Sequence, residues 1–354
     1  MKIEKIIGLG FFIATLSLVG LQIFTYFAPR TYVGWAKSVY VEDDIAYIAD
    51  NNYGLVIMDV SAPLEPYELG RLSQVSSWGS GTQIYVRDQI AYLLGDEKLK
   101  LIDISNPSSP IQSSVFGANI DGMYVDFPFF YLFNHPGAFR IYNFSDPLTP
   151  SQLSYIDLGA SIYGVYVRDN IAYITHADGL KIMDVSNSSN PIELGQFYTD
   201  DNYLFDCVVD GNIAYVTGWP GYIDIIDVTV PTDPTKLSQF NEGGGSSIDF
   251  GTAFLDDTLY VCDLNDGLEL IDVSNPLKPF KYAQFDLRSP ADVFIIYPYA
   301  YLACLDDGLK IVDISNPSLW NFIPSILNFA ITIVSIGVIV SLILLKLRIQ
   351  KKNM

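Results

Sequence analysis

One short motif recurs seven times along this chain, and the repetition restricts its fold more than any other feature. Each copy is an apolar run that closes on Asp or Asn, an apolar residue, and Ser or Thr, as in LVIMDVS beginning at Leu55. Successive copies are 40 to 45 residues apart, and a propeller blade of four short strands needs about 40 residues or slightly more. The repeat therefore predicts an all-β, seven-bladed β-propeller of four-stranded blades over residues 30–319. The closing residues of the seven copies are Asp59, Asp103, Asn143, Asp184, Asp227, Asp272 and Asp313.

Four strands, called A to D, can be placed within one unit. In the first unit, A includes Val39 to Val41, B runs from Ile45 to Ala49, C from Leu55 to Val60 and D from Tyr67 to Leu72. Strand C is apolar on both faces except at its second position, which is mostly charged. Such strands are typical of blades that pack face to face. An open sandwich or a solenoid is the weaker alternative, because no capping repeat is visible.

The units resemble the LVIVD-repeat family, whose members read like LVIVDVSNPxxP. The resemblance covers residues 36–317 and is weakest in units 3 and 5, where Asn143 and Thr229 depart from the pattern. It implies a propeller-type fold and an extracytoplasmic location. It implies no reaction and no catalytic residue.

Two uncharged apolar runs flank the repeats, from Ile6 to Ala28 and from Leu319 to Leu345. Each is long enough to cross a hydrocarbon core of roughly 30 Å as a helix. We therefore predict a signal-anchor or transmembrane helix in residues 1–29, a second transmembrane helix in 320–345, and a basic cytoplasmic tail in 346–354. A cleavable signal peptide is the alternative for the first run.

Charge indicates the orientation and excludes one class of partner. The chain carries a net charge of −20, and of its 40 acidic residues only Glu4 lies outside the repeats and their immediate flanks. Short flanks rich in Lys stay in the cytoplasm, which predicts a cell-membrane protein with the propeller outside and both termini inside. So acidic a domain is repelled by nucleic acid.

The seven aligned Asp and Asn residues favour a structural interpretation over an ionic one. A side-chain oxygen at the end of strand C can accept backbone N–H groups of the following turn. Asn143 keeps that oxygen and loses the charge, so hydrogen bonding survives at this position while acid–base chemistry does not. We predict strand-C caps.

No catalytic constellation or cofactor motif is visible. His135 and His176 fall in the B–C loops of consecutive units, and with Asp178 they are weak metal-ligand candidates; an exposed, unrelated pair is favoured. Acidic turns such as Asp43-Asp44 and Asp256-Asp257 lack calcium-loop spacing, so calcium is the less favoured alternative to no cofactor. Buried free thiols are predicted for the three cysteines, Cys207, Cys262 and Cys304, with one disulfide bridge as the alternative.

The loops predict which face of the propeller binds. The A–B and C–D turns are nearly uniform, whereas the B–C and D–A loops, which emerge on the opposite face, vary from unit to unit. We predict a binding, adhesion or scaffold module with an unknown extracytoplasmic protein or glycan as partner. A metal-assisted enzyme or a cation-binding protein using the central channel is the alternative. The candidate binding-face residues are Tyr53, Trp78, His135, His176, Tyr203 and Trp219.

Overall fold

A ring of seven antiparallel sheets forms the described part of the chain. The computed structural model describes residues 34–73, 83–199, 204–241 and 249–315. Within these ranges there are 27 strands, and in every sheet neighbouring strands are consecutive in sequence. Six sheets have four strands and the seventh has three within those ranges.

The strands are numbered in chain order. Blade 1 contains β1 (Ala36–Glu42), β2 (Ile45–Asp50), β3 (Gly54–Asp59) and β4 (Tyr67–Leu72). Blade 2 contains β5 (Gln83–Arg87), β6 (Ile90–Gly95), β7 (Lys98–Asp103) and β8 (Ile111–Phe116). Blade 3 contains β9 (Gly122–Asp126), β10 (Phe129–Phe133), β11 (Ala138–Asn143) and β12 (Ser151–Asp157). Blade 4 contains β13 (Ile162–Arg168), β14 (Ile171–His176), β15 (Gly179–Asp184) and β16 (Ile192–Tyr198).

The remaining blades repeat the pattern. Blade 5 contains β17 (Leu204–Asp210), β18 (Ile213–Gly218), β19 (Tyr222–Asp227) and β20 (Thr235–Asn241). Blade 6 contains β21 (Asp249–Leu255), β22 (Thr258–Asp263), β23 (Gly267–Asp272) and β24 (Phe280–Phe285). Blade 7 contains β25 (Pro290–Ile296), β26 (Tyr299–Cys304) and β27 (Gly308–Asp313).

The hydrophobic core is divided among the seven boundaries between blades. Each cluster of buried apolar residues draws on two neighbouring blades. The cluster that joins the first and last blades packs Ile48 and Met58 against Ala303 and Ile311, and so closes the ring. Closure confirms the seven-bladed propeller and excludes the open sandwich and the solenoid. The three cysteines are buried free thiols.

Strand A is the innermost strand of every blade, because each contacts strand A of the next blade around the ring. The A–B turn at Asp43 and Asp44 has φ values of 50° and 60°. Two consecutive positive φ values belong to the tight hairpin turn in which Asp is favoured. These acidic turns therefore have a structural reason.

The described ranges contain no helix long and apolar enough to cross a membrane. Both predicted membrane helices lie outside those ranges. We also predict that Arg30 to Val33 add the fourth strand to blade 7, and these residues lie outside them as well.

Candidate functional site

β-Bulges at the start of strand A turn extra side chains toward the centre of the ring. In blade 1, Ala36 pairs with Asp50 and Ser38 with Ala49, which leaves Lys37 as the extra residue. In blade 4 the extra residue is Tyr163, between Ile162 and Gly164. Bulges are frequent beside functional sites because they re-aim a side chain. Both Lys37 and Tyr163 line the central cavity.

The cavity has a volume of about 750 Å³ and is lined by strand-A residues of all seven blades. Trp35, His135 and Leu305, from the D–A and B–C loops, also line it. They place the mouth on the face with the variable loops. This volume is within the range of small-molecule sites, roughly 300–1,000 Å³.

An aromatic layer forms the inner end of the cavity. Tyr40 packs against Tyr85 and Phe294 with ring centroids 5.3 and 5.1 Å away, and Tyr124 packs against Tyr166 at 5.5 Å. Burial raises the pKa of Tyr40 to about 12, so its hydroxyl stays protonated. The described strand-A residues that line the cavity reach this layer and do not pass it. The aromatic layer therefore marks the inner limit of the described residues that line the cavity.

One position in strand A, just above the aromatic layer, bridges neighbouring blades. At three of its seven occurrences a side-chain oxygen accepts the backbone N–H of the next blade. The bonds are Met123 N to Gln83 Oε1 (2.6 Å), Thr252 N to Asp206 Oδ2 (3.0 Å) and Val39 N to Asp292 Oδ2 (3.1 Å). The position is occupied by Ser38, Gln83, Gly122, Gly164, Asp206, Gly251 and Asp292.

The carboxyl groups of Asp206 and Asp292 are electrostatically unusual. Each accepts a further backbone N–H on Oδ1, from Cys207 at 2.9 Å and Val293 at 2.9 Å. Desolvation raises the pKa of both carboxyls to about 6, although these hydrogen bonds lower it. Asp206 also repels Asp292 and adds to the rise in the pKa of Asp292. Carboxyl groups whose pKa is strongly shifted, and which line a cavity, are typical of functional sites.

Gly251 lies between these two acids in the ring and has a steric reason to be glycine. A Cβ atom there would lie 2.7 Å from Cα of Asp292 and 3.0 Å from its Oδ1. Because glycine has no Cβ atom, blade 7 can approach blade 6 closely enough to place the Asp292 carboxyl in the cavity.

An aromatic row lies along one side of the mouth, across blades 3 to 5. The ring centroid of Tyr163 is 5.2 Å from that of His135 and 6.2 Å from that of Phe205. Asp121 supports the row, because its Oδ2 accepts the backbone N–H of His135 at 2.8 Å. The site thus combines aromatic faces with carboxylates.

The prediction that His135 and His176 lie in the B–C loops as an exposed pair was wrong for His176, and the two do not occupy equivalent positions. His176 is the last residue of β14, and its counterpart in blade 3 is Asn134, directly before His135. His176 is 1% exposed, and its Nδ1 accepts the backbone N–H of Asp178 at 3.1 Å. Asn134 Oδ1 likewise accepts the N–H of Ala138 at 2.9 Å. His176 therefore caps the B–C turn and is neither exposed nor on the binding face.

The structure does not unite His135, His176 and Asp178 into a metal site. His135 is exposed and lines the cavity, whereas His176 is buried beside the exposed Asp178. Burial, and secondarily Lys181, lowers the pKa of His176. Within the described ranges no group of three or more His, Cys, Asp or Glu side chains is placed to hold a metal ion.

The other candidate binding-face residues are placed differently from one another. Trp219 is 43% exposed and is the first residue of the B–C loop of blade 5. Tyr53 is half-buried, with the Arg71 guanidinium 4.7 Å from its ring centroid. Trp78 and Tyr203 lie outside the described residues.

At the end of strand C, all seven Asp or Asn side chains accept the backbone N–H two residues later. The donor–acceptor distances are 2.7 to 3.0 Å. Asn143 makes the shortest of these bonds, to Ser145. The hydrogen bond therefore does not depend on the charge.

Sequence analysis missed Asp206 and Asp292, although a signal exists. Aligned from the A–B turns, most blades read like Ser-Val-Tyr-Val or Gly-Val-Tyr-Val, as at Ser38 and Gly164. At this aligned position of strand A the other blades have Ser, Gln or Gly. An acid there indicates a carboxyl group that faces the central channel. The bulges could not be located in the same way, because they add a residue without a fixed residue type.

The LVIVD repeat matches residues 33–73, 79–116, 161–199, 205–242, 255–285 and 288–327, more than half of the chain. This chain belongs to the LVIVD-repeat family. Blade 3 lies outside the matched segments, yet it has the same four strands as the other complete blades of this LVIVD-repeat protein.

Solved structures support the fold and add nothing about function. The crystal structure of the computationally designed Ika8 protein is similar, with a TM-score of 0.57 and 13% identity. The match covers 78% of this chain and 83% of that one. No curated protein matches the LVIVD-repeat chain.

Proposed function

We propose that this LVIVD-repeat protein is a membrane-anchored extracytoplasmic binding module that recognises its partner on the face formed by the B–C and D–A loops. The observation that carries the proposal is the cavity, which is lined in part by Trp35, His135 and Leu305 from the loops of that face. Support also comes from the exposed Trp219 on the same face. Aromatic side chains at the rim of a pocket are frequent anchors in protein recognition.

Variants on the two faces test the proposal. Proximity labelling around the intact protein on its host cell identifies neighbours of the native chain. We expect Trp219→Ser to remove the specific neighbours, because it deletes an exposed aromatic ring from a B–C loop of the proposed binding face. The matched control is Leu277→Ser, since Leu277 is 62% exposed in a C–D turn on the opposite face. Loss of neighbours with Leu277→Ser alone would show that the other face binds.

The location has its own test. The three native cysteines are buried, which gives a low background for thiol labelling. Tyr198 is 72% exposed, so Tyr198→Cys should react with a membrane-impermeant maleimide on intact cells if the propeller is outside. Labelling only after permeabilisation would refute the extracytoplasmic location.

Cation binding in the central channel is a second candidate, and it is compatible with the first. It is supported by the carboxyl groups of Asp206 and Asp292, which line the same cavity.

A further inference from the structure

The charged side chains that line the cavity are unequal in number. Among the residues that the structure describes, they comprise the acids Asp121, Asp206 and Asp292 and the base Lys37. Neither Asp206 nor Asp292 forms an ion pair with any Lys or Arg of the described ranges. A cleft with an excess of one sign, in a chain with a net charge of −20, attracts ligands of the opposite sign.

We propose that the cavity binds a compact organic cation, an ammonium or quaternary ammonium group, between the carboxylates of Asp206 and Asp292 and the aromatic row of Tyr163 and Phe205. This proposal rests on the proposed function and specifies the ligand class of the same site.

The first support is the placement of two buried carboxyl groups on one cavity. Asp206 and Asp292 both line it, and burial there opposes their charge and raises the pKa of each to about 6. A cation placed between them offsets the desolvation and the mutual repulsion together. A neutral ligand of the same shape offsets neither.

The second support is the aromatic surface. Tyr163 and Phe205 line the mouth, while Tyr124 and Tyr166 line the inner end. Aromatic faces attract cations through the ring quadrupole, most strongly when the cation is desolvated, and aromatic cages are the common site for quaternary ammonium groups.

The arrangement of the carboxylate oxygens favours an organic cation over a metal ion. In both acids Oδ1 and Oδ2 already accept backbone N–H groups. Calcium takes about 6–8 oxygen ligands, and the described ranges hold no group of three metal-ligating side chains. A diffuse ammonium charge needs proximity to the carboxylates and no vacant inner-sphere positions.

Choline and its neutral isostere, 3,3-dimethylbutan-1-ol, provide the test. Isothermal titration calorimetry on the full-length protein in nanodiscs, at pH 7.5, compares the two compounds on the native chain. We expect choline to bind at least about tenfold more tightly, which corresponds to about 1.4 kcal/mol. Equal affinity for the two compounds, or no binding of choline, would overturn the proposal.

Variants separate the carboxylates from the rest of the cavity. Asp206→Asn and Asp292→Asn keep a hydrogen-bond acceptor and should each weaken choline about tenfold or more. Tyr163→Leu should weaken it several-fold, and Lys37→Met should strengthen it because a like charge is removed. Asp59→Asn is the control, since Asp59 lies at the end of strand C and outside the cavity. Undiminished binding in both Asp206→Asn and Asp292→Asn would overturn the proposal.

Two further results would assign the site to a different ligand. Calcium binding that Asp206→Asn abolishes, without choline binding, would replace the organic cation by a metal ion. If choline fails to bind while Trp219→Ser still removes the cellular neighbours, the proposed ligand class is wrong. The proposal that the partner binds at the face of the B–C and D–A loops is then still supported.

Discussion

Single side-chain oxygens organise the turns of every blade. Asp103 Oδ1 accepts the backbone N–H of Ser105 at 2.9 Å, and Asn143 does the same for Ser145. Hydrogen bonds to Ser105 lower the pKa of Asp103. A lowered pKa adds stability above the ordinary value of 3.8, and this contribution is lost as the pH falls through the folded-state pKa.

Asp103→Ala should therefore lower the melting temperature by a few degrees at pH 7, because the N–H of Ser105 loses its acceptor. Asp103→Asn should leave it nearly unchanged, as blade 3 already uses Asn. Thermal unfolding followed by circular dichroism measures both. An equal loss in the two variants would show that the charge matters at this position.

Asp206 and Asp292 predict the opposite pH dependence. Their pKa is raised from 3.8 to about 6, so the folded chain binds these protons more tightly than the unfolded chain. Stability from these groups is present at low pH and is lost as the pH rises through the window from 3.8 to about 6. The loss is at most about 3 kcal/mol for each carboxyl.

The double variant Asp206→Asn/Asp292→Asn removes this titration. Between pH 4.5 and 7.5 we expect its free energy of unfolding to gain relative to that of the native chain by about 2–4 kcal/mol for the two groups together. Denaturant unfolding at several pH values measures the difference. A gap that stays constant over this pH range would contradict the raised pKa values.

At the scale of strands, an ion pair between strand C and strand D recurs in three blades. The base is on strand C in one blade and on strand D in the other two. Blade 4 pairs Lys181 of strand C with Glu193 of strand D, at 2.8 Å. Blades 5 and 6 pair an acid of strand C with a lysine of strand D, Asp224 with Lys236 at 2.6 Å and Glu269 with Lys281 at 2.5 Å. The two members are 12 residues apart in all three blades.

Breaking one of these pairs should be costly. Lys281→Met leaves Glu269, which is fully buried, without its cation and should destabilise the protein by about 2–3 kcal/mol. The reversed pair, Glu269→Lys with Lys281→Glu, should recover more than half of the loss, because blade 4 has that polarity. Lys278→Met, at an exposed position, is the control, and denaturant unfolding is the measurement. A reversed pair as unstable as Lys281→Met alone would show that the local packing accepts only one polarity.

Sequence patterns predicted these elements unevenly. The repeat located strands B to D to within about one residue in blade 1, because alternation and turn residues are local properties. The ion pair of Lys181 with Glu193 was not predicted, although its signal is in the sequence, because both charges reverse together in blades 5 and 6. The cavity could not be predicted from the sequence. Its shape depends on bulges such as that at Lys37 and on contacts between strands A of different blades.

For the whole ring, each cluster of the core belongs to two blades, so no blade contains a complete core of its own. Ile174 lies in the cluster between blades 3 and 4, and Leu302 in that between blades 6 and 7. Both side chains are fully buried.

Ile174→Ala and Leu302→Ala should each cost about 2–5 kcal/mol, and the propeller should still unfold in one transition. Differential scanning calorimetry measures both properties. Leu148→Ala is the control, because Leu148 is 74% exposed. Two resolved propeller transitions in either variant would show that part of the ring unfolds independently.

The tyrosine layer at the inner end of the cavity also has a kinetic consequence. If this layer blocks passage, a molecule in the cavity enters and leaves on the side of the B–C and D–A loops. A macromolecule seated over that mouth would hold the small occupant inside until it left, and would prevent a late arrival from entering. Binding at this face would therefore follow a compulsory order, with the small ligand first, and the slow release of the larger partner would set the lifetime of both.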